Sequence, residues 1–521
     1  MKNILLALLV IAPISFSSAS QIGNDIDGKN VDDLFGVSVA LSSDGSVVAI
    51  GAPYNNGNGI DSGYVRIYQW DGLSWNQRGA DLNGEAADDW AHLVSLSSDG
   101  SIVSIGAPNN DGNGADSGHV RIYKWDGLSW NQLGSDINGK VAGDRSCIAT
   151  LSSDGQVVAI GAPMNDGNGT DSGHVRLYQW DGVSWNQLGN DIEGEAVGDE
   201  SGSAVALSSD GSVVAIGASE NDGNGTDSGH VRLYEWDGIS WNQLGNDING
   251  EYVSDYSGTS VALSSDGSVV AIGADYNSVN GSFSAPFGHV RLYEWDGISW
   301  NQIGNDIDGE AEGDQFGKSV SLSADGSIVA IGAPDHMVNG SPSGYVRLYE
   351  WDGISWNQFG SDIDGEAAYD NFGHSLSLSA DGSIIVVGGY GNGNYAGHAR
   401  IFRTFLDSDD DGLSDEYETN ISFTNPNNAD SDNDGFTDGE EIDLSLDPNV
   451  SNADIYSFLD SKVKDLRVGS QTFGVSNGNA KIRMYVDESS DLTSTWSNTQ
   501  HVLELDIPAD ADTKFYRFRI D

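Results

Sequence analysis

The chain has 521 residues, enough for two or three domains that each bury a core of their own. Its formal net charge of −56 excludes nucleic acid and anionic membrane surfaces as partners and favours cations. A single cysteine, Cys147, excludes an intramolecular disulfide, so stability has to come from the core, from metal, or from both.

Residues 1–20 read as an export signal. Lys2 precedes an apolar run from Ile4 to Ile14, broken only by Pro13, and the small residues Ser17-Ser18-Ala19-Ser20 suit a signal peptidase. The run is too short to span a bilayer comfortably, and no later stretch approaches ~20 consecutive apolar residues. The expectation is a secreted or cell-surface protein that is not membrane-spanning and starts near Gln21.

Residues 21–405 are repetitive. Ser-x-Asp-Gly recurs with its Asp at 44, 99, 154, 210, 266, 325 and 381, which defines seven units. Each unit holds four short β-branched or aromatic runs, with Asp-Gly and Trp-Asp-Gly as hairpin turns. No unit contains a long run of helical period. The pattern predicts an all-β fold, a seven-bladed β-propeller. The seventh unit stops after its third strand, at Ala399-Arg-Ile-Phe-Arg. Its missing outer strand matches the segment Gln21-Ile-Gly-Asn-Asp-Ile-Asp-Gly, which copies residues 302–309 of the fifth unit. The propeller is therefore expected to be closed by the N-terminal strand.

These units resemble FG-GAP repeats, the blades of integrin α-subunit heads, and especially their bacterial relatives. The resemblance rests on Phe35-Gly36, Phe316-Gly317 and Phe372-Gly373, and on Gly-Ala-Pro at 51–53, 106–108, 161–163 and 332–334. It implies an extracellular propeller used in adhesion or binding. Blades 2 to 5 depart from the Phe-Gly position, as in Asp144-Arg-Ser-Cys, and the acidic calcium loop of integrin blades is shortened here to Ser-x-Asp-Gly.

Several residues recur in register. Arginines at 66, 121, 176, 232, 291, 347 and 400 match aspartates at 25, 81, 136, 191, 247, 306 and 362, predicting one ion pair per blade, within it or across a seam. Paired tryptophans flank the Trp-Asp-Gly-x-Ser-Trp turn in six blades; they read as outer-strand packing, with a sugar platform as the alternative. Five histidines (119, 174, 230, 289, 398) share one repeat position with Tyr64 and Tyr345, and read as scaffold. The Asn/Asp/Gly-rich loops after the second strands read as turns rather than metal sites. His92, His336, His374 and Cys147 break the symmetry without forming a recognisable catalytic set.

Residues 406–450 are expected to bind Ca2+. Asp407, Asp409, Asp411, Leu413, Asp415 and Glu418 fit a twelve-residue calcium loop, and Asp430, Asp432, Asp434, Phe436, Asp438 and Glu441 fit it again. Carboxylates at positions 1, 3 and 5 converge on a hard cation, Gly412 and Gly435 permit the turn, and the Leu and Phe offer backbone oxygens. With no helix ahead of either loop, the segment resembles thrombospondin type 3 repeats. Residues 451–521 read as a short helix at 453–463 and then a small β-sandwich-like module. The leading functional expectation is a non-enzymatic, monomeric binding or adhesion protein for an extracellular protein or glycan ligand. The alternatives are a lectin-like propeller and an extracellular polysaccharide lyase or hydrolase, with blades 5 to 7 the favoured place.

Overall fold

The computed structural model describes residues 19–277, 287–338, 341–404, 411, 418, 422–426, 428–443 and 447–451, with the strand backbone at 479–488, 497–508 and 517–520. The segment before residue 19, expected to be an export signal, and the helix expected at 453–463 lie outside the described residues. The chain divides into two compact units, one holding the repeats and the other holding 409–413 and the chain from 418 onward.

In the first unit, each Ser-x-Asp-Gly turn is built from its own side chains. Ser42 Oγ donates to Asp44 Oδ1 at 2.6 Å and accepts the Val47 N–H at 2.9 Å, while Asp44 accepts the Ser46 N–H. The other turns repeat the Ser-to-Asp bond. Gly45 has φ +70°, and a Cβ on it would lie 2.5 Å from the Ile384 side chain of the adjacent blade. Glycine is required there both by conformation and by space.

The turn joins an inner strand to a second strand. Blade 1 runs Ser38–Leu41, Val47–Ala52, Tyr64–Trp70, and an outer edge in two pieces, Trp75–Gln77 and Leu82–Asn83. All six residues of Val47–Ala52 are buried, because a blade is covered on both faces by its neighbours. Blades 2 to 5 repeat this order, and blade 6 carries one continuous outer strand, Trp356–Asp364.

Blade 7 contributes only Phe372–Leu378, Ile384–Gly389 and His398–Arg403 from its own unit. Its outer edge is Ser20–Gln21 and Ile26–Asp27, in the register Gln21 with Phe402 and Ile26 with Ala399. Blade 5 pairs its own outer strand in the same way, Gln302 with Tyr293 and Ile307 with Val290. The N-terminal strand thus closes the last blade.

Apolar side chains collect between blades. The core at the seam of blades 7 and 1 joins Ile26, Val386 and Ile401 to Val39, Val48, Ile50 and Tyr64, and each other seam has a core of the same kind. A backbone belt also links the turns: Ser43 to Ser98, Ser98 to Ser153, Ser153 to Ser209, Ser209 to Ser265, Ser265 to Ala324, Ala324 to Ala380, and Ala380 back to Ser43, each bond 2.7–2.9 Å long. The ring is complete.

In the second unit, Asp438–Asp443 forms one short helix. The expected β-sandwich is, among the described residues, a single antiparallel sheet of Asn479–Glu488, Ser497–Pro508 and Arg517–Ile520 in chain order. Among the described residues no helix is long and apolar enough to cross a membrane.

Ile26 is 6% exposed in the closing seam, whereas Val31 nearby is 60% exposed. Ile26→Ala is expected to cost about 2–4 kcal/mol of stability, and Val31→Ala no more than about 0.5 kcal/mol. Chemical denaturation of the two variants against the parent checks the closure.

Candidate functional site

The second acidic loop is described throughout. Asp430 accepts the N–H groups of Asp434 and Gly435 at 3.1 and 2.9 Å, Asp434 accepts that of Phe436, and Asp438 accepts that of Ser431 at 2.8 Å. These bonds curl the loop around its own carboxylates, and Gly435 takes φ +102° at the bend. The short helix then places Asp438 and Glu441 one turn apart, both fully buried. Both Asp432 oxygens and Asp438 Oδ2 are buried without a hydrogen-bond partner. Burial, then the charges of Asp434 and Asp430, push the Asp432 carboxyl above its ordinary range. Crowded, inward-facing oxygens of one sign are a donor set for a hard cation.

Of the first loop, Asp411 and Glu418 are described and buried, and Asp407, Asp409, Leu413 and Asp415 lie outside the described residues. Thr424 ties the loop's end, donating from its N–H to the Glu418 carbonyl at 3.0 Å and from Oγ1 to Glu418 Oε1 at 3.3 Å. Asn449, at the close of the second repeat, donates to the Ser422 carbonyl at 2.7 Å.

In the propeller, the expected arginine–aspartate pairing takes two forms. Within the blade it is bidentate at Arg66–Asp81 and Arg347–Asp362. These are the two blades with Tyr64 and Tyr345, and each guanidinium lies over that ring, 4.6 and 4.7 Å from its centroid. Where histidine replaces tyrosine in blades 2 to 5, the guanidinium swings across the seam instead. Arg121, Arg176, Arg232 and Arg291 donate to the outer-strand carbonyls of Asn83, Asn138, Glu193 and Asn249. The expectation of one Arg–Asp pair per blade is corrected accordingly. In blade 7, Arg400 binds Gln21 Oε1 and stands 3.7 Å from Asp25.

The tryptophan pairs meet at 5.3–5.4 Å between ring centroids. The second indole of each pair donates to the outer strand of the preceding blade, as Trp130 does to the Arg78 carbonyl at 2.7 Å and Trp75 to Ile22 at 3.0 Å. They are staples between blades. The Asn/Asp/Gly loops satisfy themselves: Asp116 N–H donates to Asp111, and Asn113 reaches the Gly139 carbonyl. Cys147 takes the place of the Phe-Gly glycine, its N–H bonded to Gly161 as that of Gly36 is to Gly51. Burial pushes its thiol up to about 12, which leaves it a poor nucleophile.

Two features escaped the sequence reading. A buried aspartate precedes every inner strand (Asp33, Asp89, Asp144, Asp199, Asp255, Asp314, Asp370) and holds the incoming loop by its N–H groups, as Asp89 holds Glu85 and Ala86. The residue after it is different in all seven blades: Leu34, Trp90, Arg145, Glu200, Tyr256, Gln315 and Asn371. All seven have φ between +50° and +56° and keep solvent access. Left-handed backbone in such side chains costs energy and gathers at functional surfaces. They stand at one mouth of the propeller, beside equally unlike residues of the loop after the second strand. Trp90 packs edge-on against Tyr54, Tyr256 against Tyr276, and Asn371 donates to Asp335. The signal was an invariant Asp followed by a position that never repeats.

Residues 407–429 and 430–449 match the bacterial TSP3 repeat. No curated protein matches the chain. Among solved structures, the chain is similar to hydrazine synthase of Kuenenia stuttgartiensis, at 12% identity and a TM-score of 0.49 over 73% of this chain and 98% of that one. It is also similar to a putative 6-phosphogluconolactonase from Bacteroides uniformis, at 10% identity and a TM-score of 0.45 over 68% and 95%. At such values the likeness carries nothing about chemistry.

Glu200 at the mouth has its carboxyl raised to about 7, first by burial and then by Glu220 and Asp171. A carboxyl raised on folding weighs against the folded state once it must ionise, so its cost grows as pH rises from about 4.3, the unfolded value, toward 7. Glu200→Gln is therefore expected to raise the melting temperature at pH 8 and to leave it nearly unchanged at pH 4. Thermal scans at the two values check this.

Proposed function

We propose that this chain is an exported, non-enzymatic binding or adhesion protein whose FG-GAP-type propeller captures an extracellular partner at the mouth bearing Trp90 and Tyr256. One observation carries the reading. In a repeat copied almost residue for residue, a single accessible position holds seven different side chains in a costly backbone state. Copied residues serve the ring, and residues that are not copied answer to something that lacks its symmetry. The mixed apolar, aromatic and charged character of the set suits a protein or glycan surface better than a small ligand. The FG-GAP type is supported by the bond that joins the two halves of the motif, Gly36 N–H to the Gly51 carbonyl at 3.0 Å and Gly317 to Gly332 likewise.

The TSP3 repeats would take Ca2+ on Asp430, Asp432, Asp434, Asp438 and Glu441, and on Asp411 and Glu418 with their neighbours in the first loop. The buried, unpartnered oxygens of Asp432 and Asp438 fit that group. The ion would neutralise the clustered carboxylates and stiffen the segment; extracellular modules of this sort work at ~10⁻⁴–10⁻³ M calcium. This setting, with the repeat family, supports an extracellular location.

Glycan binding is a second reading, favoured by a cleft of about 280 Å³ between blades 5 and 6 where Asn305, Asp306 and Asp308 face Tyr349 and Trp356.

Capture of whole cells and of polysaccharides by the immobilised full chain tests the main reading. The double variant Trp90→Ala, Tyr256→Ala is expected to lose at least ~10-fold in affinity, of the order expected for two interface aromatics, with its melting temperature within a few degrees of the parent. Unchanged capture by that variant would sink the assignment of the mouth, and loss only on Trp356→Ala would move the site to the cleft. For the metal, calorimetry of the full chain is expected to show calcium binding that falls when Asp430 and Asp434 are changed to Asn. Equal heats would refute the loops.

A further inference from the structure

We propose that three seams of the propeller, 1–2, 3–4 and 4–5, each bind a borderline divalent cation of the zinc type. The ligands would be Glu85, His119 and Asp136; Glu195, His230 and Asp247; and Glu251, His289 and Asp306. In each set the ligating atoms lie within 4.8 Å of one another. The histidine comes from the third strand, the aspartate from the outer strand of the same blade, and the glutamate from the loop leaving the preceding blade. His119 Nδ1 lies 3.9 Å from Glu85 Oε2 and 4.0 Å from Asp136 Oδ2. His119 is 1% exposed, and neither of its ring nitrogens has a hydrogen-bond partner. It is a buried, unsatisfied imidazole aimed between two carboxylates that reach solvent, so an ion would find donors of opposite charge and a way in.

The other seams supply an internal comparison. Where the sequence puts lysine at the glutamate position, its ammonium takes the place: Lys140 pairs with Asp191 beside His174, and Lys29 with Asp81 at 3.0 Å. At seam 5–6, where tyrosine replaces histidine, Arg347 bridges Glu310 and Asp362 at 2.7 and 2.8 Å. At seam 6–7, Arg400 lies 3.1 Å from Glu366 and 3.7 Å from Asp25. In these four seams a cationic side chain is within hydrogen-bond range of a carboxylate of the site. In the remaining three the arginine has turned to a backbone carbonyl, its Nε is unpartnered, and its Nη1 stands 3.5–3.9 Å from the glutamate.

The chemistry of the donors selects the ion. Each ring is buried in its seam, and a buried imidazole is neutral at pH 7 and has a lone pair to give. Two carboxylates and a neutral imidazole balance a charge of +2. Imidazole suits zinc and its neighbours, while calcium prefers oxygen alone. The charge of the buried Asp89 also acts on the His119 ring. In blade 7 its equivalent, Asp370, sits 3.1 Å from His398 Nε2.

The test is a zinc titration of the full chain, by competition with a chromophoric chelator, in excess calcium to occupy the TSP3 loops. About three equivalents are expected for the parent. The triple variant Glu85→Lys, Glu195→Lys, Glu251→Lys copies the lysine seams already present, so it should fold, and it is expected to bind zinc at least ~10-fold more weakly. X-ray absorption of the zinc-loaded parent should show one imidazole nitrogen with oxygen ligands, a readout that stands even if the variant misfolds. Equal binding by parent and folded variant, no zinc bound by the parent, or an all-oxygen shell would each overturn the proposal.

Discussion

Seven backbone hydrogen bonds run head to tail from turn to turn around the propeller and return to Ser43. Each contributes about 1 kcal/mol on its own, but the ring makes them interdependent, because every turn is at once donor to one blade and acceptor from another. The Ser-x-Asp-Gly motif exists to present that N–H and C=O. Its serine and aspartate lock the turn from inside, and its glycine lets the preceding blade's second strand press against it. Ring closure then imposes identical geometry on every blade. That explains why the inner and second strands are copied so closely, and why the apolar cores sit at seams rather than inside sheets.

Around this frame the polar residues divide into those that repeat and those that do not. Arginine, histidine or tyrosine, and aspartate form one adaptable unit per blade, in which the aromatic residue decides where the guanidinium goes. Tyr64 and Tyr345 offer a flat ring and keep the arginine on its own blade. Histidine is smaller, and with it the arginine crosses to the preceding outer strand. At the opposite end from the turns, the mouth residues share a backbone conformation and nothing else. Residues that repeat and residues that do not are thereby separated along the strand direction.

Much of this was legible in the sequence. Gln21-Ile-Gly-Asn-Asp-Ile-Asp-Gly reads as a displaced outer strand because six intact copies define what blade 7 lacks, and strand pairing in the same register follows. The acidic loops were readable because ligand spacing in a calcium loop is local in sequence. The seam clusters were not, since Glu85 and His119 belong to different blades and meet only through the packing of two sheets. The mouth was missed for another reason. Attention to what recurs passes over a position defined by failing to recur, and the positive φ that unites Leu34 with Trp90 and Glu200 leaves no mark in residue type.

The strand from which the polypeptide leaves the propeller, His398–Arg403, is not an edge. Ile384–Gly389 holds it on one side and the Ser20–Asp27 segment on the other, with Ile22 N–H bonded to the Ile401 carbonyl. Tension entering at Thr404 must therefore shear two ladders together before any blade peels. A strand borrowed from the far end of the chain turns the exit into a mechanical clamp.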